Sequence, residues 1–425
     1  MNIVKLTNIK GGGKCCGCTS CVQSCCKKCI TLKEDGEGFL YPQVDESICI
    51  DCGLCVKVCP IISPADKIEP LSVVVAKNLN EQERMGSSSG GVFLPLAREV
   101  IDKGGVVFGA VYDECWEVHH VSAETIEEVY PMMGSKYVQS RIENTYHEAE
   151  AFLKQGREVM FVGSPCQIAG LHAFLRHKDY PNLLAVDFVC HGVPSPGVWR
   201  RYLAETYSGY SAEYVSKPPL AAAGKNTVLY SSLNAKSPIG DIKFRDKTES
   251  GWKKYRFVVR GKSAVKADQN SVLSSDIYYD NAYMKGFLQN LYLRPSCYNC
   301  KCKSGVSNSD LTIGDYWAAK VVNQDMDDDK GLGVILVNTE KGREYFEKLH
   351  LEVRDSNLEE ANLCNGGFNE HAILPKKRHN FFELLSHNYT IEQAVNICLK
   401  VSFFSRATNL SRRIVAKLLR LLHRF

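Results

Sequence analysis

Residues 15–25 read CCGCTSCVQSC and residues 49–60 read CIDCGLCVKVCP. Each stretch contains four cysteines in the spacing C-x2-C-x2-C-x3-C, which is typical of a chain that holds two 4Fe-4S clusters. In that arrangement the first three cysteines of one set bind one cluster, and the fourth binds the other. The spacing therefore predicts crossed ligation, with Cys15, Cys18, Cys21 and Cys59 on one cluster and Cys49, Cys52, Cys55 and Cys25 on the second.

Zinc and disulfides are the alternatives for such a cysteine-rich block. A structural zinc site normally uses paired C-x2-C or Cys/His ligands, and no histidine lies between Cys15 and Cys59. Disulfides need an oxidising compartment, and the N-terminal MNIVKLTNIKGGGK has no apolar signal-peptide core. We therefore expect residues 1–66 to form a bacterial-ferredoxin-like domain.

Three further cysteines accompany the two sets. Cys26 stands where the second set has Pro60, and it is an alternative ligand to Cys25. Cys16 and Cys29 have no place in the motif, so we interpret them as bystanders.

The composition excludes several classes of protein. A net charge of +4 on 425 residues is too small to indicate a nucleic-acid partner. No run of 18 apolar residues occurs, so no transmembrane helix is expected. The chain has 19 cysteines and no secretory signal, which favours the reducing cytoplasm, where thiolates bind metals.

The segment after the cysteine block has the pattern of an α/β domain. IISPADKIEP reads as a linker near residues 60–70, and SVVVAKN (72–78) reads as a buried strand. GSSSGG (86–91) then leads into a helix that one of its serines is expected to cap. A small-residue loop that enters a helix suits a phosphate, although a plain flexible turn is the commoner explanation.

Two buried strands end at cysteines. VMFV (159–162) leads into GSPC, which puts Cys166 at a helix start, and LLAVDFVCHG (183–192) ends a second strand near Cys190. Strand ends in an open α/β sheet face one crevice, so Cys166 and Cys190 are expected to be neighbours. With Cys297 and Cys300 from SCYNCKC they supply four thiolates for a third 4Fe-4S cluster.

Other interpretations of these cysteines remain open. Cys302 can replace one of the four ligands, and packed thiols beside a separate zinc knuckle are an equally simple explanation. A nucleophilic pair of Cys166 and His191 is a further alternative.

Three regions with a charge bias lie elsewhere in the chain. Residues 240–262 alternate as a hairpin does, and the acidic stretch 323–331 is expected to be a solvated loop. The tail from residue 405 reads as a basic amphipathic helix, which predicts contact with an anionic membrane surface or a partner, or docking on its own protein.

Six separated motifs together resemble the coenzyme F-420 hydrogenase/dehydrogenase beta-subunit family, in its bacterial form with an N-terminal two-cluster ferredoxin domain. They are GSSSGGVF, GSKYVQS, GSPCQIAGL, VDFVCHGVPSP, FRDK with GW shortly after, and SCYNC followed by SDLTIGDYW. The resemblance covers residues 1 to about 375.

The resemblance implies an iron-sulfur flavoprotein that binds FAD and exchanges electrons with a two-electron carrier, in archaea the deazaflavin F-420. The residues that it implies for the flavin are Ser87, Ser88, Ser89, Gly90, Gly91, Gly134, Ser135, Lys136, Tyr137 and Gln167. It implies Cys166, Cys190, Cys297 and Cys300 for the adjacent cluster. No catalytic acid or base is named, and Asp315, His191 and Lys136 are pocket candidates.

The expected fold class is α+β or α/β with four parts. Residues 1–66 form the two-cluster ferredoxin-like domain, 67–155 carry the flavin-binding loops, 156–375 carry the third cluster and flavin pocket, and 376–425 form a helical basic tail.

The expected function is an oxidoreductase that moves electrons between the clusters and a flavin-linked substrate. Its partner is an external ferredoxin or a redox subunit, and its substrate is F-420, a nicotinamide, or an unsaturated sugar or lipid. The rival functions are a non-catalytic electron-transfer subunit and a redox sensor. The resemblance also implies a link to surface-polysaccharide biosynthesis, with which some bacterial members of the family are associated. We expect the protein to lie in the cytoplasm, or at the inner face of the membrane if the basic tail contacts the lipid surface.

Overall fold

The computed structural model describes residues 14–207, 209, 211–215, 232–262, 271–363 and 365–400. The N-terminal domain contains two one-turn helices and one antiparallel hairpin, and each helix starts inside one of the two cysteine motifs. These elements are α1 (Ser20–Gln23), β1 (Ile30–Glu34), β2 (Leu40–Val44) and α2 (Leu54–Lys57).

The first half of the α/β domain alternates strands and helices. Strand β3 is the predicted SVVVAKN run, in which β-branched residues fill a buried position of the sheet. The elements in order are β3 (Ser72–Asn78), α3 (Glu81–Gly86), α4 (Phe93–Ile101), β4 (Val106–Tyr112), β5 (Val118–Ala123), α5 (Ile126–Val129), α6 (Thr145–Lys154), β6 (Val159–Gly163), α7 (Pro165–Phe174) and β7 (Leu183–Phe188).

The next segment contains one helix, five strands and another helix, and its strands are not part of the large eight-stranded sheet. Its strands β10, β11 and β12 form an antiparallel sheet, which confirms the hairpin expected at residues 240–262. The elements are α8 (Pro196–Thr206), β8 (Ser211–Val215), β9 (Ser232–Lys236), β10 (Ile239–Asp246), β11 (Arg256–Gly261), β12 (Val272–Ile277) and α9 (Ala282–Leu288).

The chain returns to complete the large sheet and ends in two helices. The strands are β13 (Leu311–Asp315), β14 (Gly333–Val337) and β15 (Leu351–Ser356), with helices α10 (Glu340–Phe346), α11 (Leu358–Asn362), α12 (Arg378–Ser386) and α13 (Ile391–Leu399). Beyond Lys400 the basic tail lies outside the described residues. No helix in the described part of the chain is long and apolar enough to cross a membrane.

The eight-stranded sheet is mixed, in the order β15-β3-β14-β13-β7-β6-β4-β5. Strands β13, β7, β6 and β4 are parallel neighbours at its centre, and antiparallel strands flank them. The carboxyl ends of parallel strands meet at one edge of a sheet. The residues that follow β6 and β7 are therefore brought together, as the sequence predicts.

One expectation about local structure was wrong, and a second was incomplete. Helix α4 has Val92 at its N-cap without a side-chain cap, because Ser87 and Ser89 donate their hydroxyls to carbonyls elsewhere. The acidic stretch is not simply solvated, since Asp328 pairs with the buried guanidinium of Arg84 at 2.5 Å. Tertiary contacts decided both outcomes.

The N-terminal domain packs against α8 at a place where two glycines meet. Gly38 has φ +85, and a Cβ added to it would lie 2.4 Å from the Cα of Gly197. That separation leaves no room for a side chain, so the two backbones touch.

We expect Gly38→Ala to lower the stability of the docked domain by at least about 2 kcal/mol, because a left-handed alanine alone costs roughly 1–2 kcal/mol. Gly36→Ala is the matched control, since an added Cβ there has nothing within 4 Å. Anaerobic thermal unfolding and proteolysis of the 61–71 linker measure the effect. Equal melting temperatures for the two variants would contradict it.

Candidate functional site

The four thiols predicted for the first cluster lie together in the structure. Burial raises the pKa of Cys21 well above its usual value, and the thiols of Cys15 and Cys59 raise it further. Burial likewise raises the pKa of Cys59, and Cys15 contributes to that shift. The fourth cysteine of the second motif therefore reaches the first group, which is the arrangement that crossed ligation requires.

The second predicted group surrounds a cavity at the outer end of the domain. Cys25, Cys49, Cys52 and Cys55 line it together with Cys26 and Cys29. Cys26 is exposed, whereas the buried Cys29 has its sulfur 3.5 Å from that of Cys25. Sequence reasoning missed Cys29, and its position four residues after Cys25 was the available signal.

A buried arginine joins the first cysteine group to the α/β domain. Arg294 is 1% exposed, and its Nε donates to the carbonyl of Cys15 at 2.7 Å. Its Nη2 donates to the carbonyl of Leu40 at 2.9 Å and lies 3.7 Å from the sulfur of Cys15. Its Nη1 donates to Gln139 at 2.9 Å. Sequence reasoning did not single out Arg294.

The third predicted group assembles at the ends of the two central strands. Cys166 lies in the first turn of α7, directly after β6, and Cys190 follows β7. Burial raises the pKa of Cys190 well above its usual value, and Cys297, Cys166 and Cys300 raise it further. All four predicted thiols therefore lie within electrostatic range of one another.

Two more buried thiols adjoin this group. Cys302 is fully buried, and its raised pKa reflects burial first and then Cys166, Cys300 and Cys59. The pKa of Cys16 is raised well above its usual value, and the thiols of Cys166 and Cys18 both act on it, so both lie close to Cys16. Cys16 therefore contacts both the first and the third group, and its position next to Cys15 was the only signal of this in the sequence.

Helix α7 fixes the spacing between the first and third groups. A Cβ added to Gly170 would lie 2.7 Å from the Cβ of Cys18, so the helix backbone rests directly on the first cysteine loop. Gly170 and Cys166 are four residues apart, which puts them on one face of the helix.

The donor chemistry of the three groups fits iron-sulfur clusters. In the described residues, no three His, Cys, Asp or Glu side chains are placed to hold a single metal ion. The thiols instead stand in sets of four from separate chain segments, and thiolate sets of this size are what cubane clusters bind.

The two loops implied for the flavin lie against each other. The backbone N–H of Ser135 donates to the hydroxyl of Ser88 at 2.7 Å, so the 86–91 and 134–137 loops share one surface. Burial lowers the pKa of Lys136 to about 7, and its Nζ donates to the carbonyls of Met132 and Met133, each at 3.2 Å. Gln167 is also buried, but its amide is occupied by Ser164 and Ser140 at the start of α7.

The 134–137 loop is surrounded by buried polar atoms that have no partner. Of twelve such side-chain atoms in the described residues, four belong to residues close to Lys136 or Tyr137, namely the Tyr112 hydroxyl, Nδ1 of His120, and Nε and Nη2 of Arg245. Burial lowers the pKa of His120 to about 4, so its ring is neutral, and its Nε2 meets the carbonyl of Val162. Unsatisfied buried polar groups need an explanation, and a bound organic ligand along the loop would supply their partners, so these residues fit a flavin.

The other pocket candidates border the same region. Asp315 accepts hydrogen bonds from Arg245 and from Nε1 of Trp252. The ring of His191 lies edge-on to Phe287 at 5.1 Å, and Phe287 stacks on Tyr137 at 4.6 Å. The structure therefore links the cysteine at 190 to the predicted loop through a line of rings.

Two family models match the chain. Residues 156–360 match the C-terminal part of the beta subunit of coenzyme F420 hydrogenase/dehydrogenase, and residues 41–64 match a 4Fe-4S binding domain. Nearly half of the chain therefore resembles the C-terminal part of that beta subunit. The chain also carries a 4Fe-4S binding domain, which contains the second cysteine motif.

Two curated relatives agree with this family. One subunit of the F420H2 dehydrogenase from Methanosarcina mazei is 24% identical over 185 residues, covering 41% of this chain and 53% of that protein. The coenzyme F420-dependent sulfite reductase from Methanocaldococcus jannaschii is 27% identical over 169 residues, covering 39% of this chain and 26% of that protein. The chain thus spans about half the length of the first relative and a quarter of the second.

A solved structure is also similar to the chain. It belongs to the F420-reducing [NiFe] hydrogenase complex from Methanosarcina barkeri. The match has a TM-score of 0.44 and 15% identity, and it covers 77% of this chain and 97% of that one.

We expect Arg294→Met to lower the free energy of unfolding by about 2–4 kcal/mol, because each buried acceptor left unpaired costs about 1–3 kcal/mol. Arg343→Met is the control, since the Arg343 pair with Glu340 is 37% and 71% exposed and such surface pairs contribute little. Anaerobic urea unfolding followed by circular dichroism provides the measurement. A loss no larger than that of the control would refute the bridging role.

Proposed function

We propose that the chain is an iron-sulfur flavoprotein oxidoreductase that moves electrons between 4Fe-4S clusters and a two-electron donor or acceptor. The packing of helix α7 on the first cysteine loop carries this proposal, because α7 has Cys166 in its first turn and its Gly170 backbone rests on Cys18, which makes the first and third cysteine groups adjacent. Three adjacent groups form a continuous route for single electrons from the outer cavity to the centre of the α/β domain.

A flavin supplies the exchange between hydride and single electrons that such a route needs at its inner end. The residues that would hold it are the loops at 86–91 and 134–137, together with the unpartnered polar groups around them. Ser88 and Ser135 fix the two loops to each other, and the neutral ring of His120 offers its unpartnered Nδ1 beside them.

The reducible substrate and the partner are part of the same proposal. Both curated relatives bear F420 in their names, which supports a deazaflavin or a similar small molecule as the substrate. The outer cysteine group lines a small cavity that opens to solvent, a suitable point of contact for an external ferredoxin or a redox subunit. We place the protein in the cytoplasm, with the basic tail as a peripheral membrane contact.

A non-catalytic electron-transfer subunit is the second candidate. One observation favours it: the curated relative with the longer overlap is named as a subunit of a dehydrogenase. Such a subunit would hold the clusters but would show no turnover without its partner.

Anaerobically purified protein should contain about twelve irons, an equal amount of acid-labile sulfide and one flavin per chain, because each cubane holds four irons. Elemental analysis and the absorbance of the released flavin test this prediction. About eight irons without flavin would leave only the ferredoxin-like domain and would reject the flavoprotein function.

Cys59→Ser should remove one cluster and leave its neighbour, because crossed ligation assigns Cys59 to the group of Cys15, Cys18 and Cys21. Cys26→Ser should leave the iron content unchanged, since Cys26 is exposed and Cys25 occupies the motif position. Iron per chain and the low-temperature EPR spectrum of the dithionite-reduced protein report both outcomes. Loss of iron in Cys26→Ser would show that Cys26 replaces Cys25.

Cys190→Ser should lose about four irons, because the Cys190 thiol stands among the other three predicted ligands of the third cluster. Cys302→Ser is the matched comparison, and we expect it to retain all three clusters. If only the Cys302 variant loses iron, Cys302 is the ligand and Cys190 is a packed thiol.

A further inference from the structure

Near the loops proposed for the flavin, the guanidinium of Arg245 has hydrogen-bond donors without a partner. Arg245 leaves 2% of its side chain exposed, and its Nη1 pairs with Asp315 at 2.5 Å. Its Nε and Nη2 are buried and make no hydrogen bond with any described residue. These two nitrogens form one edge of the guanidinium, so a complete two-donor fork is left without an acceptor.

An empty fork of this kind needs an explanation. A buried donor without a partner costs free energy, and unsatisfied buried groups are few in native proteins. The two donors lie parallel, in the geometry that matches two adjacent acceptor atoms on a single planar group. A ligand with such a pair of acceptors would remove the penalty.

The surroundings of the fork are aromatic. The guanidinium carbon lies 4.7 Å from the ring centre of Tyr255 and 5.2 Å from that of Trp317. Trp317 in turn stacks on Trp252 at 4.4 Å, with an angle of 5° between the rings. Asp315 occupies the other side of the guanidinium, and the aromatic lining suits a flat ring better than a phosphate.

The fork also lies close to the third cysteine group. Asp315 ends strand β13, and the carbonyl of Ile313 in that strand accepts from the N–H of Val189, the residue before Cys190. Tyr137 from the 134–137 loop adjoins Arg245 and stacks on Phe287. A redox ring bound at the fork would therefore lie between the predicted loop and the third group.

We propose that the Nε–Nη2 edge of Arg245 binds the pyrimidine edge of the flavin ring, with its adjacent nitrogen and carbonyl oxygen as the two acceptors. This inference rests on the proposed flavoprotein function. Negative charge gathers at that edge when a flavin is reduced, so a cation fixed there favours the reduced form. Arg245 is thus a binding residue that also sets the potential of the flavin.

The test compares full-length wild-type protein with Arg245→Met and Arg245→Lys. Each is purified anaerobically and loaded with FAD, and a dye-coupled titration followed by flavin absorbance gives the midpoint potential. In Arg245→Met we expect the potential to fall by about 30 mV or more, equivalent to a tenfold weaker preference for the reduced form in a two-electron couple. Flavin affinity should fall at least tenfold for FAD and riboflavin alike.

Arg245→Lys should keep most of the potential but lose affinity, because lysine retains the charge without the fork. Arg256→Met is the matched control from the same hairpin, since Arg256 is partly exposed and already bonded to Ser275. Iron content and circular dichroism identify any variant that fails to fold. If Arg245→Met fails to fold, the flavin affinity of Arg245→Lys decides whether Arg245 binds the flavin.

The outcomes separate the two levels of the proposal. If wild-type protein binds no flavin, the proposed function fails and this inference fails with it. If wild type binds flavin while Arg245→Met keeps its affinity and potential, only the role of Arg245 is refuted. A loss of affinity for FAD but not for riboflavin, at an unchanged potential, would assign the fork to the phosphates and overturn the ring-edge contact.

Discussion

The buried guanidinium of Arg294 is the contact on which the arrangement of the two domains depends. It binds the carbonyls of Cys15 and Leu40 in the N-terminal domain and the amide of Gln139 in the α/β domain. A fully buried cation must be surrounded by acceptors, because leaving it unpaired costs several kcal/mol. The first cysteine loop is therefore held at one place on the sheet, and Cys297 follows Arg294 by only three residues.

That placement explains why the cysteine groups form a continuous series. Helix α7 begins with Cys166 and rests on Cys18 through Gly170, so one helix touches both groups. The adjacent strand β7 leads to Cys190 at the same sheet edge, and the segment after Arg294 supplies Cys297 and Cys300. The region proposed for the flavin begins where this series ends, at the rings of His191, Phe287 and Tyr137.

Periodicity and spacing were sufficient for the local elements and for part of the site. Strand β3, the hairpin of β10 and β11, and the proximity of Cys166 to Cys190 follow from patterns of a few residues. The serine cap was wrong and the solvated acidic loop was incomplete, because Ser89 and Asp328 bond to groups some 240 positions away along the chain. Cys16, Arg245 and Arg294 went unrecognised as site residues for the same reason, whereas Cys29 was missed although it lies only four residues after Cys25.

The sequence by itself determined the chemistry of this protein: the spacing of the cysteine motifs selects iron-sulfur clusters, because ligand geometry in such motifs is local. Only the tertiary structure decided how the groups combine. Cys59 joins Cys15 across the N-terminal domain, Cys16 reaches Cys166 in the next, and Arg245 meets Asp315 from a distant strand. Such contacts depend on how sheet and helices pack, and no short stretch of sequence contains that information.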